Sequence, residues 1–567
     1  MHTPNEQLDR AVLDLTKQKD VFARQSIDDR ITLIRQLRAS FPSVVEGWID
    51  AACTAKGLTP GTPQSGEEWL GGPMVVLRNL RLLENTLISI KNTGGPPLPS
   101  NAIKVLPDGR VRVRAFPTST YDKLLFMGFS ADVWMTKDIN INNIREHIAV
   151  EYKGSHSNRT GKVALVLGAG NVASIGPMDV LYKLFAEGQV CILKMNPVNE
   201  YLGPFIERGL APLVERGFLR VVYGGADVGG YLCSHPGVEE IHITGSDKTH
   251  DAIVWGPPGP DREARKRENR PLLTKRITSE LGNVSPVIVV PGPWSDADFR
   301  FQAENITAMV ANNASFNCNA AKLIVQHQGW DKRQHLMERV RQVLSEVPLR
   351  KAYYPGAQER YDQFLTAHPE AMALGNRTTD VVPWTVIEGL DPNKKDEMAF
   401  STEAFCGVLT ETALDAPDIA SFLDKAVSFC NERVWGTLNV MLIVHPKTES
   451  DPAFAAALER AVANLRYGTI GINHWPAINY GMTSTPWGAY VGHTLDDIQS
   501  GIGIVHNTFL LEGVEKTVLR GPFRVNPKPP WFPTNKLTHV IGEKLTAFEQ
   551  SPSIGRFLSV VTTAMRA

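Results

Sequence analysis

The stretch KVALVLGAGNVASIGPMDVLYKLFAEGQVCILKM, residues 162–195, decides the fold. Val163–Leu167 is apolar at every position, and so is Val190–Leu193. Strands buried on both faces read this way. Gly168 and Gly170 break the first run, and PMDVLYKLFAEG then carries helical periodicity. Strand, helix and strand in so short a span form the crossover unit of a parallel sheet, because parallel neighbours cannot be joined by a tight turn. Downstream, YLGPFIERGLAPLVERG reads as helix, LRVVYGG as strand, VGGYLCSHPG as short helix and EEIHITGS as strand. The alternation predicts a doubly wound parallel sheet with helices on both faces.

The rest of the chain is organised around this unit. Residues 8–56 carry helical periodicity, clearest in DDRITLIRQLRASF; TPGTPQSGEEWLGGP interrupts at 59–73, and MVVLRNLRLLENTLISIKN is a further helix ended by TGGPPLPSN. Residues 103–150 read as short strands and turns. GPPGPDREARKREN, 256–269, is charged and proline-rich, as a solvated insertion would be. A second alternating region runs from about 280 to 475, and the tail from 515 holds PFRVNPKPPWFPTN and a last amphipathic helix. A chain of 567 residues is too long for one ordinary core and should hold two or three domains.

Composition narrows the function. Apolar content of 43% and charged content of 21% are those of a soluble globular protein. With 59 basic and 60 acidic residues the net charge is −1, so no field draws in nucleic acid or an anionic membrane. No run reaches the 18 or so apolar residues that span a bilayer. The six cysteines, Cys53, Cys191, Cys233, Cys318, Cys406 and Cys430, are scattered, with no CxxC pair and no His at metal-ligand spacing. That usage, with a polar start lacking a signal core, predicts a reducing, cytoplasmic setting and no metal.

The glycine loop contains Gly168-x-Gly170-x-x-Ala173 after a strand, the pattern of a dinucleotide fingerprint. That fingerprint also needs an Asp or Glu about 20 residues on, to hold the ribose. Here the second strand ends in Lys194 instead. Other segments carry the chemistry. EEIHITGSDKTHDAIV ends a strand in Thr244-Gly245-Ser246 and opens a helix. RITSELGNVSPVIVV sets Glu280 ahead of an apolar strand. NNASFNCNAAKLIV, 312–325, places Cys318 among small polar residues. A thiol on such a loop, read here as entering a helix, is accessible and is the best side-chain nucleophile for a carbonyl carbon. The competing reading is a buried Cys packing at a helix start.

In order and spacing these segments resemble the aldehyde dehydrogenase superfamily over roughly residues 25–500. STEAFCGVL at 401–409 and GTIGINHWPAINYGMTSTPWGAYVGH at 468–493 extend the resemblance. It implies an aldehyde-dehydrogenase-like α/β fold: a Rossmann-like doubly wound cofactor domain over 1–278, with strands from about 103–150 in an oligomerisation element; a catalytic α/β domain over 279–480; and an oligomerisation strand with a C-terminal extension over 481–567. It implies a homodimer or homotetramer that oxidises an apolar or aromatic aldehyde to its acid with NAD(P) and no metal. Cys318 would be the nucleophile and Glu280 the base that activates water. The Asn171 amide and the Cys318 backbone N–H would stabilise the oxyanion.

For the cofactor, the resemblance maps Lys194 onto the adenosine ribose, Ser246 onto the pyrophosphate, Gly225 and Gly229 beside the adenine, Glu403 onto the nicotinamide ribose and Phe405 nearby. Trp475, Ile478 and Tyr480 would line the substrate tunnel, with His474 a loop hydrogen-bonder. The chain also departs from the pattern. Lys194-Met195-Asn196-Pro197 has no acid to repel a 2′-phosphate, so NAD and NADP both stay open. Ala169-Gly170-Asn171 and Ser315-Phe316-Asn317-Cys318 differ from the usual loops, and Cys406 puts an oxidisable thiol near the cofactor site. The C-terminal extension would cover the tunnel mouth or modify an interface. Two rivals stand: a CoA-dependent acylating enzyme or acyl-thioester reductase on the same scaffold, which typically lacks the base, and a non-catalytic protein retaining the fold.

Overall fold

The computed structural model describes all 567 residues. Two sheets carry the site. The first has five parallel strands in the order Leu219–Val222, Val190–Lys194, Val163–Leu167, Glu240–Thr244, Arg276–Glu280. Val163–Leu167 lies at its centre with every residue buried. That position explains the unbroken apolar run. Helices Ile175–Phe185, Ala226–Ser234 and Asp247–Trp255 connect the strands, and the N-terminal helices Asn5–Ala23 to Pro73–Thr93 share one core with this sheet.

The second sheet has eleven strands. Seven run parallel from Trp384–Leu390 through Val408–Leu414, Ala321–His327, Ser285–Val289, Asn439–Ile443 and Thr469–Ile472 to Val514–Arg520. Met372–Leu374 closes one edge antiparallel. At the other, Ser130–Met135, Val111–Phe116 and Ile103–Val105 add an antiparallel ribbon. Separate apolar clusters support this sheet.

Several expectations change. The run after Cys318 is the strand Ala321–His327, not a helix, and all but its last residue is buried. Seven residues ended by a Gln328-Gly329 turn suit a central strand. The first sheet continues to Glu280, so the passage between sheets falls after 280 rather than at 279. In the regions assigned to oligomerisation, 103–150 and 481–567, Val111–Phe116, Ser130–Met135 and Val514–Arg520 also pair within the chain's own second sheet, which leaves that assignment as it stood. The insertion forms a short helix, Pro260–Arg267, with no buried residue. YLGPFIERGLAPLVERG splits into Gly203–Gly209 and Ala211–Glu215, the interruption falling at Leu210 (φ −105°, ψ 24°), so that Pro212 sits in the first turn of the second helix, where its missing N–H is not needed. The tail ends in two helices, Thr538–Gln550 and Ile554–Ala564, separated by Ser551-Pro552. No helix is long and apolar enough to cross a membrane.

Helix Thr538–Gln550 packs on Gly66–Leu70 and Pro73–Thr93. Buried Arg78 fastens it, donating to Glu549 (2.9 Å), to Asp122 (2.9 Å) and to the Met482 carbonyl (3.0 Å), while Arg81 reaches the other Glu549 oxygen (2.7 Å). Removing one carboxylate from such a cluster strands buried charge. Glu549→Ala is therefore expected to destabilise the chain by about 3 kcal/mol, read as a lower urea midpoint, with Glu549→Gln intermediate because it keeps the packing.

Candidate active site

Cys318 is presented by an unusual turn. Asn313, Ala314 and Ser315 all take left-handed backbone conformations, with φ of 52°, 54° and 69°. Ala and Ser adopt that region rarely, so three in succession need outside support. Asn313 supplies much of it: its amide donates to the Asn171 carbonyl (2.9 Å) and the Phe316 carbonyl (3.1 Å). Its side-chain oxygen accepts from Lys56 Nζ (3.0 Å) and lies 2.9 Å from the Tyr353 hydroxyl. Lys56, itself buried, also donates to Glu68 (2.8 Å) and to the Asn171 carbonyl (3.0 Å). An N-terminal helix thus fixes both the Asn171 loop and the cysteine loop.

The thiol of Cys318 donates to Glu280 Oε1 at 3.3 Å. Glu280 ends its strand opposite Thr244. Its second oxygen, Oε2, is buried without a partner. Burial, helped by the charge of Asp179, pushes Glu280 up to about 7. Burial and the neighbouring carboxylates Glu280 and Glu403 push the Cys318 thiol well above its ordinary value, and Lys322 opposes them. The resting pair is therefore a thiol bonded to a carboxylate of nearly neutral pKa, poised to pass its proton to that base. The Asn171 amide donates one N–H to the Phe316 carbonyl (2.9 Å), which holds it over the cysteine turn.

A cleft of about 1040 Å³ opens onto this pair. Asn171, Glu280 and Cys318 line its inner end; Lys194, Gly225, Gly229, Ser246, Glu403 and Phe405 line the rest. Lys194 ends its strand and is largely buried, which lowers its pKa. Ser246 caps helix Asp247–Trp255, accepting from Thr249 N at 3.2 Å, and so marks a helix N-terminus suited to an anion. Glu403 is held 3.1 Å from Lys322 Nζ. A Cβ at Gly282 would lie 2.0 Å from Glu403 Oε2, so only glycine admits the carboxylate there. The donor set suits a dinucleotide: a cation at one end, a helix N-terminus in the middle, and a carboxylate and an aromatic ring beside the thiol.

The structure does not bring Trp475 and Ile478 to the cleft. Trp475 is buried and donates its indole N–H to the Asn319 carbonyl (2.8 Å), bracing the residue after Cys318. Ile478 packs with Phe116, Phe129, Met482 and Leu519. Tyr480 comes nearer. Its hydroxyl lies 2.9 Å from Ser174 Oγ, and its ring meets Trp487, which with Leu438 and Val505 packs against Cys318. Neither Trp487 nor Lys322 is legible as a site residue in the sequence; the one signal for Lys322 is a lysine inside the apolar run AAKLIV. His474 donates its Nε2–H to the Pro522 carbonyl (2.8 Å), and burial pushes its pKa down to about 4. Cys406 is fully buried, its thiol pushed up to about 12, so it is a packing residue rather than an oxidisable thiol.

Residues 171–368 match the aldehyde dehydrogenase family model. Human 4-trimethylaminobutyraldehyde dehydrogenase is 31% identical over 131 residues, 23% of this chain and 22% of that protein, so the match spans about a fifth of the relative's length. Among solved structures, a mutant of aldehyde dehydrogenase C from Pseudomonas syringae, complexed with NAD+ and octanal, superposes with a TM-score of 0.57 at 16% identity, over 93% of this chain and 91% of that one. Glyceraldehyde-3-phosphate dehydrogenase from Methanocaldococcus jannaschii, complexed with NADP, gives 0.58 at 15%, over 92% and 95%. Residues 171–368 thus carry the sequence pattern of the aldehyde dehydrogenase family, and over more than nine-tenths of the chain the fold is that of solved aldehyde dehydrogenase structures.

Two measurements probe the site's electrostatics. Between its ordinary value of 4.5 and about 7, folded Glu280 holds a proton that the unfolded chain has released, so its contribution to stability falls as pH rises through that window. Glu280→Gln cannot titrate; it should melt above wild type at pH 8, by the equivalent of about 3 kcal/mol, and close to wild type at pH 4. Lys322→Met should move the pH profile of Cys318 alkylation by iodoacetamide upward by about one unit or more, with Lys322→Arg restoring part of the shift.

Proposed function

We propose that the chain oxidises an aldehyde to its carboxylic acid through a covalent intermediate on Cys318, with NAD(P) bound along the cleft. The observation that carries this reading is the Cys318–Glu280 pair, 3.3 Å apart, at the inner end of a cleft lined by Lys194, Ser246 and Glu403. Ser246 would meet the pyrophosphate, Lys194 the adenosine ribose and Glu403 the nicotinamide ribose. When bound, NAD(P) supplies the hydride acceptor.

The residues then divide the work. As Sγ attacks the carbonyl carbon, the thiol proton passes to Glu280. The oxygen takes up negative charge as a thiohemiacetal alkoxide, and the Asn171 amide and the Cys318 backbone N–H are the donors placed to stabilise it. Loss of hydride leaves a thioester on Cys318. Glu280 next releases the thiol's proton to solvent; a carboxylate again, with a pKa near the working pH, it removes a proton from the water that adds to the thioester and passes it to the departing thiolate, so the acid leaves and the thiol is restored. The apolar surround of Cys318 by Trp487, Leu438 and Tyr480 favours an apolar or aromatic aldehyde.

The two halves of the reaction separate in rapid kinetics. Cys318→Ala is expected to abolish reduced-nicotinamide formation from an aldehyde panel. At alkaline pH, where hydroxide can take the thiol's proton in place of Glu280, Glu280→Gln should retain a burst near one equivalent per site and then turn over about 10²–10⁴-fold more slowly than wild type. Activity that survives Cys318→Ala overturns the nucleophile. Turnover that requires coenzyme A and ignores Glu280→Gln assigns the acylating reaction instead.

A further inference from the structure

Trp487 is fully buried, stays out of the cleft lining, and belongs with Leu438 and Val505 to the apolar group that packs against Cys318. Its indole N–H has no partner. A buried indole normally bonds that N–H, because leaving a donor dry costs its desolvation. Glu280 Oε2, the carboxyl oxygen not bonded to the Cys318 thiol, is also buried without a partner. The indole acts on this carboxyl as a hydrogen-bond donor and lowers its pKa, an influence second only to the burial that raises it. Trp48 and Trp294 have unpaired indole N–H groups as well. Trp487 is set apart by the carboxylate beside it.

Both residues are held to one frame. Trp487 lies on the short strand Pro486–Gly488, opposite Val505 on Ile504–His506. The chain leading into Ile504–His506 runs along Glu280's own strand. Ser279 N donates to the Ile502 carbonyl (2.7 Å) and Leu281 N to the Ser500 carbonyl (2.9 Å), one on each side of Glu280 in sequence. Ile502 N donates back to Ser279 Oγ (3.1 Å), and Ser500 Oγ donates to the Gly282 carbonyl (2.7 Å). The Pro486 carbonyl accepts from the Asn479 amide (2.9 Å), and the Tyr480 ring meets the indole edge-on, centroids 5.8 Å apart. The other groups acting on Glu280 are the Cys318 thiol on Oε1 and the carboxylates Asp179 and Glu403, which raise its pKa, with Lys322 paired to Glu403. None of them donates to Oε2.

We propose that Trp487 is a positioning residue for the base: its indole N–H closes on Glu280 Oε2 when the carboxylate forms and keeps Oε1 turned to the Cys318 sulfur. The inference rests on the reading of Glu280 as the base for Cys318. An indole only donates, so Oε2 stays unprotonated and the proton taken from the thiol is carried on Oε1. The same oxygen then faces the water that attacks the thioester. A hydrogen bond to an ionised acceptor is stronger than one to a neutral acceptor. The pair therefore favours the carboxylate and opposes the burial and the two acidic neighbours that would keep Glu280 protonated. A phenylalanine would pack in the same place and do neither.

The indole N–H resonances of isotope-labelled protein test the pairing directly. Of the 11 tryptophans, one should shift with pH through a titration centred near the Glu280 value of about 7 and stay still in Glu280→Gln. In Trp487→Phe, which keeps a ring and removes the donor, the pH of half-maximal kcat for aldehyde oxidation should rise by about one unit. Turnover at pH 7 then falls about fivefold, while the dinucleotide KM moves by less than about twofold. Lost packing lowers the melting temperature of Trp487→Phe alike at pH 4 and pH 8; the lost bond to ionised Glu280 adds a further drop at pH 8 alone, which Glu280→Gln removes. No indole signal that follows Glu280, or a Trp487→Phe enzyme with the wild-type pH profile, overturns the pairing. Wild type that oxidises no aldehyde while one indole still titrates with Glu280 overturns the proposed reaction and upholds the pairing.

Discussion

The bond from the Cys318 thiol to Glu280 joins the ends of two different sheets, and the site depends on that meeting. Glu280 is the last residue of the first sheet's edge strand; Cys318 stands just before a central strand of the second. Four residues, Leu281–Val284, carry the chain from one sheet to the other. Ser285 then donates to the Cys318 carbonyl at 3.0 Å. The passage between sheets therefore fixes the distance between Glu280 and Cys318, and the seam it makes is the inner end of the cleft. Burial at such a seam raises both pKa values together, which keeps the proton shared between them rather than lost to solvent.

That geometry is held from outside the two sheets. The left-handed turn at 313–315 cannot sustain itself, and its supports come from Lys56 and Tyr353, far away in sequence. The Asn171 carbonyl accepts from Lys56 and Asn313 and lies 3.0 Å from the Tyr353 hydroxyl, so Asn171 and the Cys318 turn are anchored to the same polar knot. Gly170 is needed at this point for a plain reason: a Cβ there would lie 2.7 Å from both Asn196 Oδ1 and Val198 Cβ. The glycine loop, whose fingerprint pattern lacks its acid, is a packed joint that carries Asn171.

The legible parts of the molecule are those whose signal is local. Val163–Leu167 announces a buried strand because no position in it tolerates a polar residue, and Cys318, Glu280 and Asn171 stand in motif segments. Short apolar runs are harder. AAKLIV fits a helix or a strand equally well until its neighbours Ser285–Val289 and Val408–Leu414 are known. Trp475 and Ile478 lie in the segment expected to face substrate, yet periodicity does not distinguish an aromatic that lines a cleft from one that braces a turn, and here both pack inward. Lys56 and Lys322 were invisible for another reason. A buried lysine is explained only by its acceptors, and those are carbonyls and carboxylates brought in by the fold.

The charge around the thiol follows from the same placement. Glu280 and Glu403 are both buried and both pushed upward, and Lys322 is the ammonium set against them, 3.1 Å from Glu403 and donating to the Asn317 (2.9 Å) and Ala320 (3.2 Å) carbonyls on either side of Cys318. One buried cation facing two carboxylates and a thiol leaves the inner cleft short of positive charge. In such a low-dielectric space a missing charge is felt strongly, so a cationic ring stacked near Phe405 and Glu403 would favour the thiolate and the ionised base together. A neutral ring of the same shape would not.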